Sequence, residues 1–107
     1  MKSIEFYGNS LETIRKFPPT VKREIGYQLD RLQRGLNPVD WKPMATVGKG
    51  VKEIRIHWRG QYRVIFVTNV GDSILVLHAF QKKAGKTARV DKNQAQNALK
   101  QAIKRQE

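Results

Sequence analysis

Arg55, Arg63, His78 and Phe80 fall on three consecutive segments that are rich in Val, Ile, Leu and aromatic residues. Such segments favour β-strands, in which successive side chains point to opposite faces. Guanidinium groups bind phosphate and stabilise the negative charge that develops on it, and imidazole exchanges a proton near neutral pH. The four residue types therefore predict chemistry on a phosphodiester, with the Phe80 ring available to stack on an unpaired base.

The turn between the first two segments determines whether the two arginines meet. If Ile54 and Val64 face the core together, the turn must have an odd number of residues. A turn made of the three residues 58–60 satisfies this condition. That register places Arg55 directly opposite Arg63. Like charges directly opposite each other destabilise a sheet, and such local conflicts tend to mark functional positions.

The second turn brings the histidine to the same place. A four-residue turn at 69–72 puts Arg63 opposite His78, with Phe80 further along the same face. If the helices cover the apolar face of the sheet, the opposite face is exposed. We therefore predict one open face that presents both arginines, the histidine and the phenylalanine.

The elements that must position these residues follow from periodicity and from helix-stop signals. The 107 residues predict a single domain over 1–107. The predicted fold class is α+β, with an N-terminal αα-hairpin packed on a small antiparallel β-sheet and a C-terminal helix. The predicted elements are a strand over 2–7, helices over 11–17 and 20–34, a loop over 36–50, strands over 51–58, 61–68 and 73–80, and a helix from about residue 87.

Charge is the strongest signal in the composition. The chain has 21 Lys and Arg against 9 Asp and Glu, for a formal net charge of +12. That exceeds the magnitude of about 2–8 that suits a small soluble domain, and its self-repulsion favours an anionic partner such as nucleic acid, a membrane surface or an acidic protein.

Several kinds of site and location are excluded by composition. The chain has no Cys and only two His, which leaves no disulfide, no thiolate metal site and no histidine-rich metal cluster, so we expect no metal and no cofactor. No apolar run approaches the roughly 18 residues that span a membrane, and the first residues lack a signal-peptide core. We expect a soluble cytoplasmic protein without membrane contact.

Four stretches carry a resemblance to a known family: GQYRVIF at 60–66, LVLHAFQKK at 75–83, KPM at 42–44 and GKGVKEIR at 48–55. They resemble the HigB and phage Gp49-like branch of the RelE/ParE toxin superfamily over nearly the whole chain. The resemblance implies a RelE-like fold and a toxin of a type II toxin–antitoxin system. It also implies that the protein cuts messenger RNA in the ribosomal A site, and that a cognate antitoxin, often of the helix-turn-helix type, neutralises it.

The resemblance also implies roles for individual residues. Arg63 matches the arginine that binds the scissile phosphate, and Arg55 matches the basic residue of the preceding strand. The basic residue after the last strand is Lys83 or its neighbour Lys82, and His78 matches a histidine of the HigB branch. RelE places a tyrosine near its C-terminus where this chain has none, so the identity of the general base stays open.

The predicted reaction is RNA cleavage without a metal, because Glu53 is the only carboxylate on the predicted face. The ribose 2′-OH attacks the adjacent phosphorus and leaves a 2′,3′-cyclic phosphate and a 5′-OH. Residues predicted to catalyse it are Arg63, Arg55, His78 and Lys83. Residues predicted to bind RNA are Lys49, Lys52, Phe80, Lys82 and Lys86.

Two other functions fit the same sequence. A ParE-like toxin shares the fold but inhibits DNA gyrase by binding, and a basic nucleic-acid-binding module would do no chemistry. Two arginines together with an acid or base group favour the ribonuclease over both. Toxicity on expression would separate a toxin from a simple binding module.

Overall fold

The computed structural model describes residues 1–83 and 87–107. It is a mixed α+β fold with a C-terminal helix, as the sequence predicts, and its one sheet has five strands where the sequence predicts four. The elements are β1 (Ile4–Phe6), α1 (Ser10–Arg15), α2 (Pro19–Gln33), β2 (Trp41–Pro43), β3 (Lys52–His57), β4 (Gln61–Val67), β5 (Ile74–Lys82) and α3 (Arg89–Gln106). None of the helices among the described residues has the length and apolar character needed to cross a membrane.

The five strands lie in the order β1-β5-β4-β3-β2. Strands β2 to β5 are antiparallel neighbours, and β1 adds a parallel edge beside β5. The prediction of a loop over 36–50 is wrong at β2, which pairs Trp41 with Ile54 and Pro43 with Lys52. Proline is tolerated on an edge strand, so the breaker signal at Pro43 does not prevent this pairing.

The N-terminal helices differ from the predicted αα-hairpin. Helix α1 has only six residues and α2 has 15, so the RelE-like hairpin is not confirmed. Pro19 is the first residue of α2, a position where proline's missing N–H and fixed φ cost nothing. The predicted stop at Gly35 is confirmed: its φ is +81°, and the Leu36 N–H donates to the Arg31 carbonyl across the helix end.

Both faces of the sheet are covered, which contradicts the prediction of one open face. On one side α2 buries Ile25 and Leu29 against Ile54 and Val64. On the other side α3 packs its buried alanines, Ala95, Ala98 and Ala102, against the sheet. The spacing of three and four residues puts these alanines on one helix face, and their small size lets α3 approach the strands closely.

The register of the first hairpin is confirmed, and that of the second is wrong. Arg55 lies opposite Arg63, as predicted from the three-residue turn. On β5, however, Arg63 lies opposite Phe80, and His78 lies opposite Ile65. Two shifts of one residue each cause the difference. Next to the turn Phe66 already pairs with Val76, where the four-residue turn would pair it with Leu75, and a β-bulge then skips Leu77 before Ile65 pairs with His78. Leu77 and His78 both turn toward α3.

Candidate functional site

Four cations on four adjacent strands form the candidate site: Lys42 on β2, Arg55 on β3, Arg63 on β4 and Lys82 on β5. We call these four residues the basic cluster. Strand pairing places them on one face, because Lys42 is opposite Glu53, Arg55 is opposite Arg63, and Lys82 is opposite Gln61.

Arg63 lies at the buried centre of the cluster and is 2% exposed. One guanidinium nitrogen, Nη1, donates to the Tyr62 carbonyl at 3.0 Å, and the other, Nη2, donates to Gln61 Oε1 at 2.7 Å. Its Nε lies 3.5 Å from Glu53 Oε1. Burial lowers the pKa of the Arg63 guanidinium below its usual value, while the charge of Glu53 raises it and that of Arg55 lowers it.

The carboxylate of Glu53 is completely buried. Besides Arg63, two other residues contact it. Its Oε2 accepts a hydrogen bond of 2.9 Å from the hydroxyl of Thr87, just before α3, and its Oε1 lies 3.8 Å from Lys42 Nζ. Within the described ranges, Glu53 Oε1 and Arg63 Nε are the buried side-chain polar atoms without a hydrogen bond. They are attracted as an ion pair but are not aligned as donor and acceptor.

Arg55 forms the exposed part of the cluster. Its Nε and Nη2 donate to Asp40 Oδ1 at 2.9 and 2.8 Å, and its backbone N–H donates to the Asp40 carbonyl. The two side chains are 38% and 37% exposed. His57 Nε2 lies 3.5 Å from the other oxygen of Asp40. The sequence prediction missed the role of Asp40 because this residue lies in the stretch taken for a loop.

The structure places the predicted catalytic histidine under α3. His78 is 5% exposed, and its Nε2 is 2.8 Å from Asp91 Oδ1 in the first turn of that helix. Its ring stacks on Phe80 with centroids 5.4 Å apart and planes at 20°. Phe80 is therefore beside Arg63, as the new register requires, but it is buried rather than open to an RNA base.

The predicted lysines are spread over several surfaces. Lys82 is half-buried in the cluster, and its pKa is lowered by burial and then by the charges of Arg63 and Lys42. Lys83 is exposed just after β5, and Lys49 is exposed before β3. Lys52 lies over the Trp41 ring at 4.5 Å on the α2 side, away from the cluster, and Lys86 lies outside the described residues.

The basic cluster is suited to binding a phosphate group. Arg55 and Lys82 are reachable from solvent, and the buried Arg63 adds a fixed positive charge behind them. In residues 1–83 and 87–107, no three His, Asp or Glu side chains come together in a way that could hold a metal ion.

Comparison with known proteins identifies the family. A family model described as phage-derived protein Gp49-like matches residues 12–100, most of the 107-residue chain. No curated protein matches the chain. The matched range includes α2, all of β2 to β5 and α3 up to residue 100. This protein belongs to the phage-derived Gp49-like family, which is a toxin-like family of the RelE type.

Proposed function

We propose that this protein is the toxin of a type II toxin–antitoxin system and cleaves messenger RNA in the ribosomal A site. The observation that carries the proposal is the basic cluster, in which two solvent-accessible cations, Arg55 and Lys82, flank the buried Arg63. Membership of a RelE-type family supports the toxin assignment. The net charge of +12 supports a polyanionic target.

The proposed reaction is an internal transesterification. The ribose 2′ oxygen forms a bond to the adjacent phosphorus while the bond from phosphorus to the 5′ oxygen breaks. The 2′-OH gives up its proton to a base, and the leaving 5′ oxygen receives one. Arg55 and Lys82 bind the non-bridging oxygens, and Arg63 strengthens the positive potential behind the phosphorus, where negative charge builds up in the transition state.

The accessible imidazole next to the cluster is that of His57. Its side chain is mostly exposed and lies beside Asp40, which also holds Arg55. We propose His57 as the group that accepts the 2′-OH proton. His78, which the sequence predicts to be catalytic, is buried and its Nε2 contacts Asp91, so we assign it no part in the proton transfer. Lys83 and Lys49, both exposed, are proposed to bind further phosphates of messenger or ribosomal RNA.

Cleavage is expected to require the ribosome. The proposed site is an open surface with few acid or base groups, so it depends on an external scaffold to hold the scissile nucleotide in line. Purified protein should cut messenger RNA in a programmed ribosome and leave the same RNA intact when naked. Rapid cleavage of naked RNA at the same position would contradict ribosome dependence.

We further propose that an acidic antitoxin, encoded beside this protein, neutralises it by covering basic surface. Because the chain carries +12, opposite charges should steer the encounter, and salt screens such steering over about 10 Å at 0.1 M. Stopped-flow mixing with the product of the adjacent gene should show an association rate that falls steeply as salt rises. A rate that is unchanged between low and physiological salt would rule out electrostatic steering.

A further inference from the structure

A small cavity opens between α3 and the turn that follows β1, on the α3 side of the sheet. Its volume is about 190 Å³, and Leu77 and His78 of β5 belong to its lining. That volume is below the roughly 300–1,000 Å³ of sites for drug-sized ligands. The cavity is therefore of a size for one planar ring system.

The lining of this cavity is neutral although the chain is strongly basic. No Lys, Arg, Asp or Glu side chain is among its lining residues in the described part of the chain. Instead it carries four carboxamides, each of which offers both a donor and an acceptor. These are Asn9 after β1, and Gln94, Asn97 and Gln101, which share one face of α3.

The four carboxamides belong to exposed residues, and their side chains are available to a ligand. Across residues 1–83 and 87–107, none of them makes a side-chain hydrogen bond to the protein, whereas the neighbouring Gln96 donates to the Thr46 carbonyl at 2.8 Å. Leu77 and Ala98 provide apolar surface beside them. Such a lining offers hydrogen bonds in the cavity together with apolar contact for a ring.

His78 adds a fixed acceptor. Its Nε2 lies 2.8 Å from the Asp91 carboxylate, which accepts, so the tautomer that fits this contact has its proton on Nε2 and leaves Nδ1 as an acceptor. Nδ1 makes no hydrogen bond in the described part of the chain and is not among its buried unpartnered polar atoms, so it is in contact with solvent. Stacking on Phe80 and the bond to Asp91 hold the ring in place.

We propose that this cavity, the amide pocket, binds a single unstacked nucleobase. The Watson–Crick edges of nucleobases carry both donors and acceptors, which carboxamides recognise, and every base offers an N–H for His78 Nδ1. The inference rests on the proposed function for the source of that base. The same strand, β5, carries His78 of the pocket and Lys82 of the basic cluster four residues later, a separation of about 13 Å along a strand, which one RNA strand can span.

Nuclear magnetic resonance can test the amide pocket on the wild-type protein. The probes are the four nucleoside 5′-monophosphates, a 2′-O-methyl hexanucleotide that cannot be cleaved, and ribose 5-phosphate as a control without a base. The probes with a base should shift the signals of the His78 ring and the Asn97 side-chain amide saturably, and ribose 5-phosphate should not. Equal shifts with ribose 5-phosphate, or no saturable shift with any probe, would overturn the proposal.

Two variants on α3 provide the matched comparison. The double variant Asn97→Ala/Gln101→Ala removes two exposed carboxamides of the pocket and should weaken binding at least about tenfold. Asn93→Ala removes an exposed carboxamide of the same helix outside the pocket and should leave binding unchanged. Equal binding by the double variant and the wild type would contradict the pocket.

The outcomes distinguish a free nucleotide from a base within an RNA strand. They also distinguish failure of the pocket proposal from failure of the proposed function. Saturation by monophosphates alone supports a free-nucleotide ligand, and a response only to the hexanucleotide supports a base within an RNA strand. Nucleobase binding without any messenger cleavage would refute the proposed function and leave the pocket standing. Messenger cleavage without nucleobase binding would refute the pocket alone.

Discussion

Replacing Arg63 with alanine is expected to lower the free energy of unfolding by about 3–5 kcal/mol, because the substitution leaves a buried carboxylate without its main partner. Glu53 is 0% exposed, and Arg63 Nε is the cation nearest to its Oε1. The sequence alone predicts no loss of stability, since the substitution would relieve the repulsion between Arg55 and Arg63. The buried contact between Arg63 and Glu53 reverses that expectation. Urea denaturation of the wild type and of Arg63→Ala measures this loss. The loss is calculated from the two midpoint urea concentrations, with the same slope of unfolding free energy against urea (the m value) for both proteins.

The double variant Glu53→Gln/Arg63→Met is the control for this explanation. It removes both charges while keeping side chains of similar size. It should therefore recover most of the free energy of unfolding that Arg63→Ala loses. Gln61→Ala removes one exposed partner of Arg63 and should cost much less. If the free energy of unfolding of Arg63→Ala is within about 0.5 kcal/mol of the wild-type value, the buried ion pair does not stabilise this protein.

The second large effect is expected at Arg55 and concerns activity. Arg55→Ala should slow ribosome-dependent cleavage by about 10²–10³-fold, the usual loss when one preorganised group that stabilises transition-state charge is removed. Its partner Asp40 and Arg55 itself are each more than a third exposed, so breaking their ion pair should cost no more than about 1 kcal/mol of stability. Arg55 therefore separates catalysis from folding, which Arg63 does not.

Arg34→Ala is the matched control for the change in charge. Arg34 pairs with Asp30 at 2.9 Å at the C-terminal end of α2, on the helix that covers the other side of the sheet. The substitution removes one positive charge and one exposed ion pair, as Arg55→Ala does. If long-range attraction to RNA were the whole effect, the two variants would lose activity equally.

Local patterns predicted much of the fold. The alternation of Ile54 and Ile56 with charged residues, and the short turn after His57, determine the register that sets Arg55 opposite Arg63. Gly35 ends α2 for a local reason as well, since it adopts the left-handed conformation that glycine favours. Such features depend on residues that are close together in the chain, so they can be predicted from the local sequence.

The site depends on packing that local patterns do not contain. A one-residue shift at the turn and one extra residue at Leu77 together change the partner of Arg63 from His78 to Phe80. The continuous apolar run at 74–77 has no alternation that would reveal the bulge. The apolar face of α3 consists mainly of alanines, which give a weak periodic signal, so its packing on this face of the sheet was not predicted. The register of β3 and β4 already sets Glu53 diagonal to Arg63 on one face, but the burial of this ion pair depends on tertiary packing.

The rate of messenger cleavage in programmed ribosomes, compared among wild type, Arg55→Ala and Arg34→Ala, tests the proposed function most directly. We predict that Arg55→Ala, shown to be folded by its melting curve, loses about 10²–10³-fold, while Arg34→Ala stays within a few-fold of the wild type. The wild-type product should end in a 2′,3′-cyclic phosphate. Equal rates for all three proteins, or no cleavage by the wild type, would contradict the assignment of the basic cluster as a ribonuclease site.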